Sequence, residues 1–358
     1  MLSRFYLKNF GPIDHLLDWK NLGKINLIIG NNGCGKTFLL KALYSAVRTL
    51  EDYKRGDNPD SIAEILAKKL YWTFQPEKIG DLVTKPSKTD LVFLLKLDNN
   101  QIFKYTFGKD TTKLFESSLE NEVAPRAGNS IFLPAKEVLS LHHIILKSRK
   151  QYQFGFDDTY LDLAEALQIS PGKDFMSASL SDLVGGPIPP PKGHGSYDFE
   201  QSCDRLEGMI GGKIDYDETA NRWYFKKDGQ RFSIGTTAEG VKKVAILDRL
   251  LNNGYLSENS IIFIDEPESA LHPEAISKLL DIVAILAKHG IQFFLASHSY
   301  FVIKKLFLIA QEQKISIPVL SKEGDSWQQS DLLDGMPDNA IINESIRLYE
   351  EEVELAFK

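Results

Sequence analysis

The stretch Gly30-Asn31-Asn32-Gly33-Cys34-Gly35-Lys36-Thr37 limits what this chain can fold into more than any other, because it fits G-x-x-x-x-G-K-[ST]. Ahead of it, Lys24 to Ile29 is a short apolar run of strand character. Behind it, Leu39, Leu43, Ala46, Val47 and Leu50 recur at helical spacing. Strand, glycine-rich turn and helix is the context in which such a loop wraps phosphates. The glycines let backbone N–H groups point inward, and the helix N-terminus adds partial positive charge. On this basis Asn31, Asn32, Gly33, Cys34, Gly35, Lys36, Thr37 and Phe38 form a nucleotide cradle. Lys36 is expected to reach the β- and γ-phosphates, and the Thr37 hydroxyl to ligate Mg²⁺. Cys34 reads as a small filler of the loop.

A chain of 358 residues has room for one large or two ordinary domains, and 43% hydrophobic with 25% charged residues is an ordinary globular balance. The net charge of −7 argues against a surface coated for nucleic acid, while a local basic groove stays open. Cys34 and Cys203 alone make no disulfide framework and suit a reducing compartment. Met1 to Phe5 lacks the apolar core of a signal peptide, and no uncharged apolar run reaches membrane-spanning length. A cytoplasmic protein without a membrane partner is expected.

Taken in order, residues 2–9 and Ile13 to Trp19 read as strands around the turn Phe10-Gly11-Pro12, ahead of the loop strand. A helix follows the loop to about Leu50, and Ser61 to Trp72 forms another, with Ile62, Ile65, Leu66 and Leu70 on one face. Leu91 to Leu97 and Ile102 to Phe107 make a hairpin across Asn99-Asn100. Ser130 to Pro134 reads as a buried strand, with a helix from there through about Lys150. The cluster Lys147, Arg149 and Lys150 is expected to be the solvated end of that helix. Residues 157–184 look helical, 185–191 can only be loop, and Phe199 to Met209 looks helical. Lys213 to Asp217, Arg222 to Lys226 and Arg231 to Ile234 form a meander with Asp-Gly at its last turn.

The last third carries a second constellation. Ile261-Ile262-Phe263-Ile264-Asp265-Glu266 is a continuous apolar strand ending in two carboxylates, as suits a strand buried on both faces of a mostly parallel sheet. In phosphoryl transfer the first carboxylate holds Mg²⁺ and the second accepts a proton from the attacking water. A helix from Glu274 to Lys288 leads to a second buried strand, Ile291 to Leu295, which runs into Ser297-His298-Ser299. A histidine there is placed to meet a γ-phosphate or the attacking water. Upstream, Thr236-Thr237-Ala238-Glu239-Gly240 opens a helix whose stripe is Val244, Leu247, Leu250 and Leu251, and the two threonines look like its N-cap. His142 and His143 point about 100° apart on a helix and read as surface or packing residues.

In their order, GNNGCGKT, TTAEGVKK, IIFIDEPESALHP and ASHS resemble the motifs of ABC-type ATPase heads of the RecF-like, SMC-like and OLD-like families, and the opening LKNFG is similar to the start of such heads. The resemblance implies an α/β P-loop NTPase. Such a head has a mostly parallel central sheet, an N-terminal antiparallel β subdomain and a helical insertion. It divides the chain into an N-terminal lobe (1–135), an insertion with a small meander (136–235) and a C-terminal lobe (236–358). It also implies ATP and Mg²⁺ as ligands, Lys36 and Thr37 on phosphate and metal, Asp265 as the metal-holding acid, Glu266 as the base and His298 as the switch histidine. Residues 269–272 become the D-loop, and Thr237, Ala238, Glu239 and Gly240 the signature that meets a nucleotide held by a second copy. Ala238 stands at the usual serine position with Thr237 beside it, which leaves open the hydroxyl that meets the phosphate. Lys136 or Glu137 lies where a Q-loop glutamine is usual.

Heptad arms of an SMC protein and a nuclease domain of the OLD-like kind are both missing from this sequence, which reads as a bare head. Bare heads of this kind resemble ATPase subunits of bacterial anti-phage modules, which work with a separately encoded effector, a nuclease or toxin. A RecF-like repair ATPase that clamps DNA directly is the alternative, and a nucleotide-gated scaffold without turnover a third.

Overall fold

The computed structural model of the chain describes residues 1–14, 16–85, 87–151, 155–169, 211–324 and 326–357. The chain opens with β1 (Leu2–Lys8), β2 (Leu17–Lys20) and β3 (Ile25–Ile29), then passes the glycine-rich loop into α1 (Lys36–Asp52). Next come α2 (Ile62–Phe74), β4 (Leu91–Leu97), β5 (Ile102–Phe107), β6 (Leu119–Asn121) and β7 (Ile131–Leu133). The middle holds α3 (His142–Gln151), α4 (Asp158–Gln168), β8 (Lys213–Asp217), β9 (Arg222–Lys227) and β10 (Gln230–Ser233). Then follow α5 (Glu239–Asn252), β11 (Ile261–Asp265), α6 (Pro273–Lys288), β12 (Gln292–Ser297), α7 (Tyr300–Gln313), β13 (Pro318–Glu323), β14 (Ser326–Asp331) and α8 (Ala340–Ala356). Among the described residues, no helix is long and apolar enough to cross a membrane.

Six strands build the central sheet in the order β14-β13-β3-β12-β11-β7, all parallel except the edge strand β14. Every residue of β3, β11 and β12 is buried, as expected of apolar runs covered on both faces. A five-stranded antiparallel sheet, β2-β1-β4-β5-β6, lies across α1 from it. Tyr44 of α1 packs edge-on against Phe132 and Phe263 of the central sheet, while Phe5 and Trp19 carry the antiparallel sheet onto Phe294. The buried Gln292 side chain fastens the two sheets: it accepts from Leu2 N (2.9 Å) and donates to the carbonyls of Leu2 and Gly23. The other face of the central sheet is covered by α3 to α7, and the meander β8-β9-β10 joins this same core through Trp223 and Phe225.

Local chemistry explains most element ends. Ser61 caps α2 in a reciprocal box with Glu64. Asp228 and Gly229 both take positive φ at the last meander turn, the geometry an Asp-Gly hairpin requires. Charges with little exposure tie α1, α2 and α4 together: Arg48, which pairs with Glu51 and Asp52 of its own helix, also lies 3.7 Å from Asp162, Lys69 pairs with Asp158 and Asp162, and Lys41 with Asp157.

Several expectations shift. The second strand begins at Leu17 rather than Ile13, because a tight Phe10–Ile13 bridge closes the chain over the Phe38 ring. Gly11 sits there at φ +55, where a Cβ would lie 2.2 Å from that ring. The helix after β7 starts only at His142. The apolar run Ile315 to Leu320 predicts a strand, which begins only at Pro318, because Asp331 Oδ1 accepts from Ile317 N (3.0 Å) and Asp331 Oδ2 from the Ser316 hydroxyl. The basic end of α3 is not simply solvated: Arg149 pairs with Asp158 at 2.6 Å and lies 3.7 Å over the Trp72 ring, although Lys147 is exposed. Of the helix expected over 157–184, the part from Asp158 to Gln168 is seen; residues 170–184, the 185–191 loop and the 199–209 helix lie outside the described residues.

Candidate functional site

Three neighbouring strands deliver the site. β12 lies between β3 and β11, with Ser297 opposite Ile29 on one side and Ala296 opposite Asp265 on the other. Their carboxyl ends therefore stand level, and the glycine-rich loop, His298 and the Asp265-Glu266 pair emerge side by side. This is where open parallel sheets present ligands.

The loop leaves β3 through Gly30, where a Cβ would stand 2.9 Å from Cys34 Sγ, and enters α1 through Gly35 at φ +97. Gly33, also at positive φ, has open space where its Cβ would be. Lys36 is buried, and its ammonium donates to the carbonyls of Gly30 (2.7 Å) and Asn31 (2.9 Å). The lysine thus sits inside its own loop, and reaching a phosphate requires it to exchange these two bonds. Asn31, Asn32, Gly33 and Thr37 are exposed. Phe38 turns its ring into a cluster with Phe10 and Phe74, so only its backbone is available to a nucleotide.

The Thr37 hydroxyl donates to both carboxylate oxygens of Asp265 (3.0 and 2.9 Å). One hydroxyl and one carboxylate, both hard oxygen donors, fit Mg²⁺ completed by phosphate and water oxygens. Burial pushes the Asp265 carboxyl up to about 6; the Thr37 bond opposes this, and the adjacent Glu266 adds to it.

Glu266 stands in the left-handed region at φ +46, its N–H donating to Ala296 O (2.9 Å). Its carboxylate lies 3.5 Å from His298 Nδ1. Two further residues, missed in the sequence, hold this geometry. Glu268 accepts from the Ser297 hydroxyl (2.8 Å) and from His298 N (3.1 Å), pinning the turn that carries the histidine. Lys243 of α5 donates to the carbonyls of Glu266 and Ser269, both at 3.1 Å. Burial lowers its pKa, while Glu268, Glu266, Glu239 and Asp265 favour its charge. Nothing in the spacing marked Lys243, because its partners are backbone oxygens on another element.

The signature stretch departs from expectation. Ala238, not a threonine, is the N-cap residue of α5, and it makes no side-chain cap bond. The hydroxyls of Thr236 and Thr237 donate backward to Ser233 O (2.8 and 3.3 Å), so the threonines close the preceding turn instead. Glu239 is neutralised by Lys242 at 2.8 Å. Ala238, Glu239 and Gly240 line a cleft of about 460 Å³ shared with Ala270 and His272. Lys136 and Glu137 face a small hollow with Glu239, Lys242 and Lys243.

His142 packs edge-on to Trp223 and Tyr216, with its Nε2 2.8 Å from Ala164 O, while His143 is exposed. Burial holds the His142 pKa below the ordinary histidine value, Ala164 opposing. A lowered pKa means that the unfolded chain binds the extra proton more readily. Stability from this site is therefore present above about pH 6.5 and lost as pH falls through the folded value. His142→Phe is expected to flatten that loss. Urea midpoints at pH 7.5 and 5.0 check it, and parallel losses in both proteins would refute it.

A family described as "AAA domain, putative AbiEii toxin, Type IV TA system" matches residues 25–304, which hold the loop, Asp265, Glu266 and His298. No curated protein matches the chain. Among solved structures, an SMC head bound to the C-winged helix domain of ScpA superposes with a TM-score of 0.50 at 12% identity, over 92% of this chain and 97% of that one. The SMC head domain from Thermotoga maritima superposes with a TM-score of 0.47 at 11% identity, over 92% of this chain and 98% of that one. At such identity the first likeness is one of fold, that of an ABC-like P-loop ATPase head.

Proposed function

The chain belongs to this AAA-domain family, and we propose that it binds and hydrolyses ATP with Mg²⁺, closes with a second copy around the nucleotide, and controls a separate effector, as in bacterial anti-phage defence. The observation that carries the reading is the level placement of the loop, Asp265-Glu266 and His298 on three adjacent strand ends. In it, Lys36 and the loop N–H groups hold the β- and γ-phosphates, and Thr37 and Asp265 hold the ion, which when bound neutralises charge on the phosphates. Glu266 accepts a proton from the attacking water, and His298, pinned by Glu268, orients that water or the γ-phosphate. Thr237 to Gly240 contact the nucleotide held mainly by the other copy. Since signature and loop belong to one chain, two chains complete two sites about a twofold axis.

Phosphate release from ATP by the purified chain, with and without duplex DNA, tests this. Turnover that needs Mg²⁺ but not DNA is expected. ATP binding without phosphate release would leave a nucleotide-gated scaffold, and turnover that depends on DNA would favour a DNA clamp.

A further inference from the structure

α8 leaves the body of the protein after its first turns. Ile342 is its buried residue, and every position from Ile346 to Phe357 is exposed, including Ile346 (50%), Tyr349 (66%) and Phe357 (87%). The exposed part is shorter than the ~12–15 residues below which an isolated helix is marginal in water. One set of its apolar residues is nevertheless ordered, while the exposed Leu348 and Leu355 lie together on another face. Ile342, Ile346, Tyr349 and Val353 follow one another at spacings of four, three and four, with Ala356 and Phe357 continuing the line. At about 100° per residue they occupy one stripe roughly 100° wide, bordered by Glu350 on one side and Glu352 on the other. Such a seam is what a helix buries against a partner helix.

Charge selects the occupant. α8 carries Glu344, Glu350, Glu351, Glu352 and Glu354 against the single cation Arg347, which already pairs with Glu344 and Glu351 of its own helix. Two copies of α8 packed seam to seam would bring together the border residues Glu350 and Glu352 of each, four carboxylates, while Arg347 of each stays paired with Glu344 and Glu351. A partner with lysine or arginine beside its seam turns that repulsion into attraction.

We propose that α8 is a docking helix for another protein, and that it accepts an amphipathic helix whose apolar seam is flanked by basic residues. The inference deepens the effector reading by giving the partner's chemistry, and rests on that reading only in taking the partner to be the effector.

The probe is a synthetic helical peptide of heptads with isoleucine and leucine on the seam and lysine on both borders, titrated against the full chain by fluorescence anisotropy. Two controls accompany it: the same heptads with glutamate borders, and a scramble of the lysine peptide that has no seam. The lysine peptide is expected to bind at least about tenfold more tightly than either control, and more weakly as salt rises. Ile346→Asp with Val353→Asp should abolish binding. Glu350→Lys with Glu352→Lys should exchange the preference toward the glutamate peptide, a gain that misfolding cannot mimic. Equal binding of the scramble, no binding of the lysine peptide, or nucleotide-independent self-association abolished by Ile346→Asp would each overturn the proposal. ATP binding by the same preparations separates the two readings: if it is absent while the peptide binds, the ATPase reading fails and the docking helix stands.

Discussion

Lys36→Ala is expected to lose ATP affinity by roughly 10- to 100-fold, the worth of one charge-assisted contact to phosphate, while Glu266→Gln binds ATP as the parent does and turns it over about 10²- to 10⁴-fold more slowly. The contrast follows from where the two side chains sit. The Lys36 ammonium lies inside the loop at 2.7 and 2.9 Å from its carbonyls, so its removal strips the cradle of its buried cation. Glu266 stands outside the loop, half-exposed and 3.5 Å from His298, where glutamine keeps the shape and loses only the proton acceptor. Equilibrium titration with a fluorescent ATP analogue and a phosphate-release assay separate binding from chemistry. Equal losses of affinity in the two variants would refute the assignment of Glu266 as base.

The second large effect is on assembly. Glu266→Gln with ATP and Mg²⁺ is expected to sediment as a dimer or larger, and adding Ala238→Glu to return it to monomer with ATP affinity changed less than about twofold, because a carboxylate then faces the partner's γ-phosphate. Ala238 is the cleaner position for this test. It is exposed at the mouth of its cleft, whereas a Cβ on Gly240 would meet Leu271 at 3.3 Å and Ala275 at 3.4 Å within the same chain. Analytical ultracentrifugation with and without nucleotide reads the result. A dimer that forms without ATP and survives Ala238→Glu would show that another surface makes the interface.

How much of this was legible beforehand depends on the range of the interactions. The glycine-rich loop could be read because strand, loop and helix are contiguous and each part has a local signature: β3 is apolar throughout, Gly35 takes a φ open to glycine, and α1 keeps its apolar stripe. The same holds for β11 and β12, whose unbroken apolar runs fit only strands covered on both faces, and for the meander, whose Asp-Gly turn sets its own register. Tertiary structure alone decided what depends on partners distant in sequence. Nothing in the sequence sets Glu268 apart, and only the adjacency of β12 brings Ser297 and His298 onto it. Lys243 gains its role only because α5 packs against the turn after β11, which offers it two carbonyls. Arg149 lost its place at a solvated helix end because α4 set Asp158 beside it. Thr236 and Thr237 had the composition of an N-cap, but the path of the chain out of β10 put Ser233 O within reach of their hydroxyls first. Residue type and spacing determine local geometry, whereas the pairing of charges and hydroxyls is settled by which element arrives next to them.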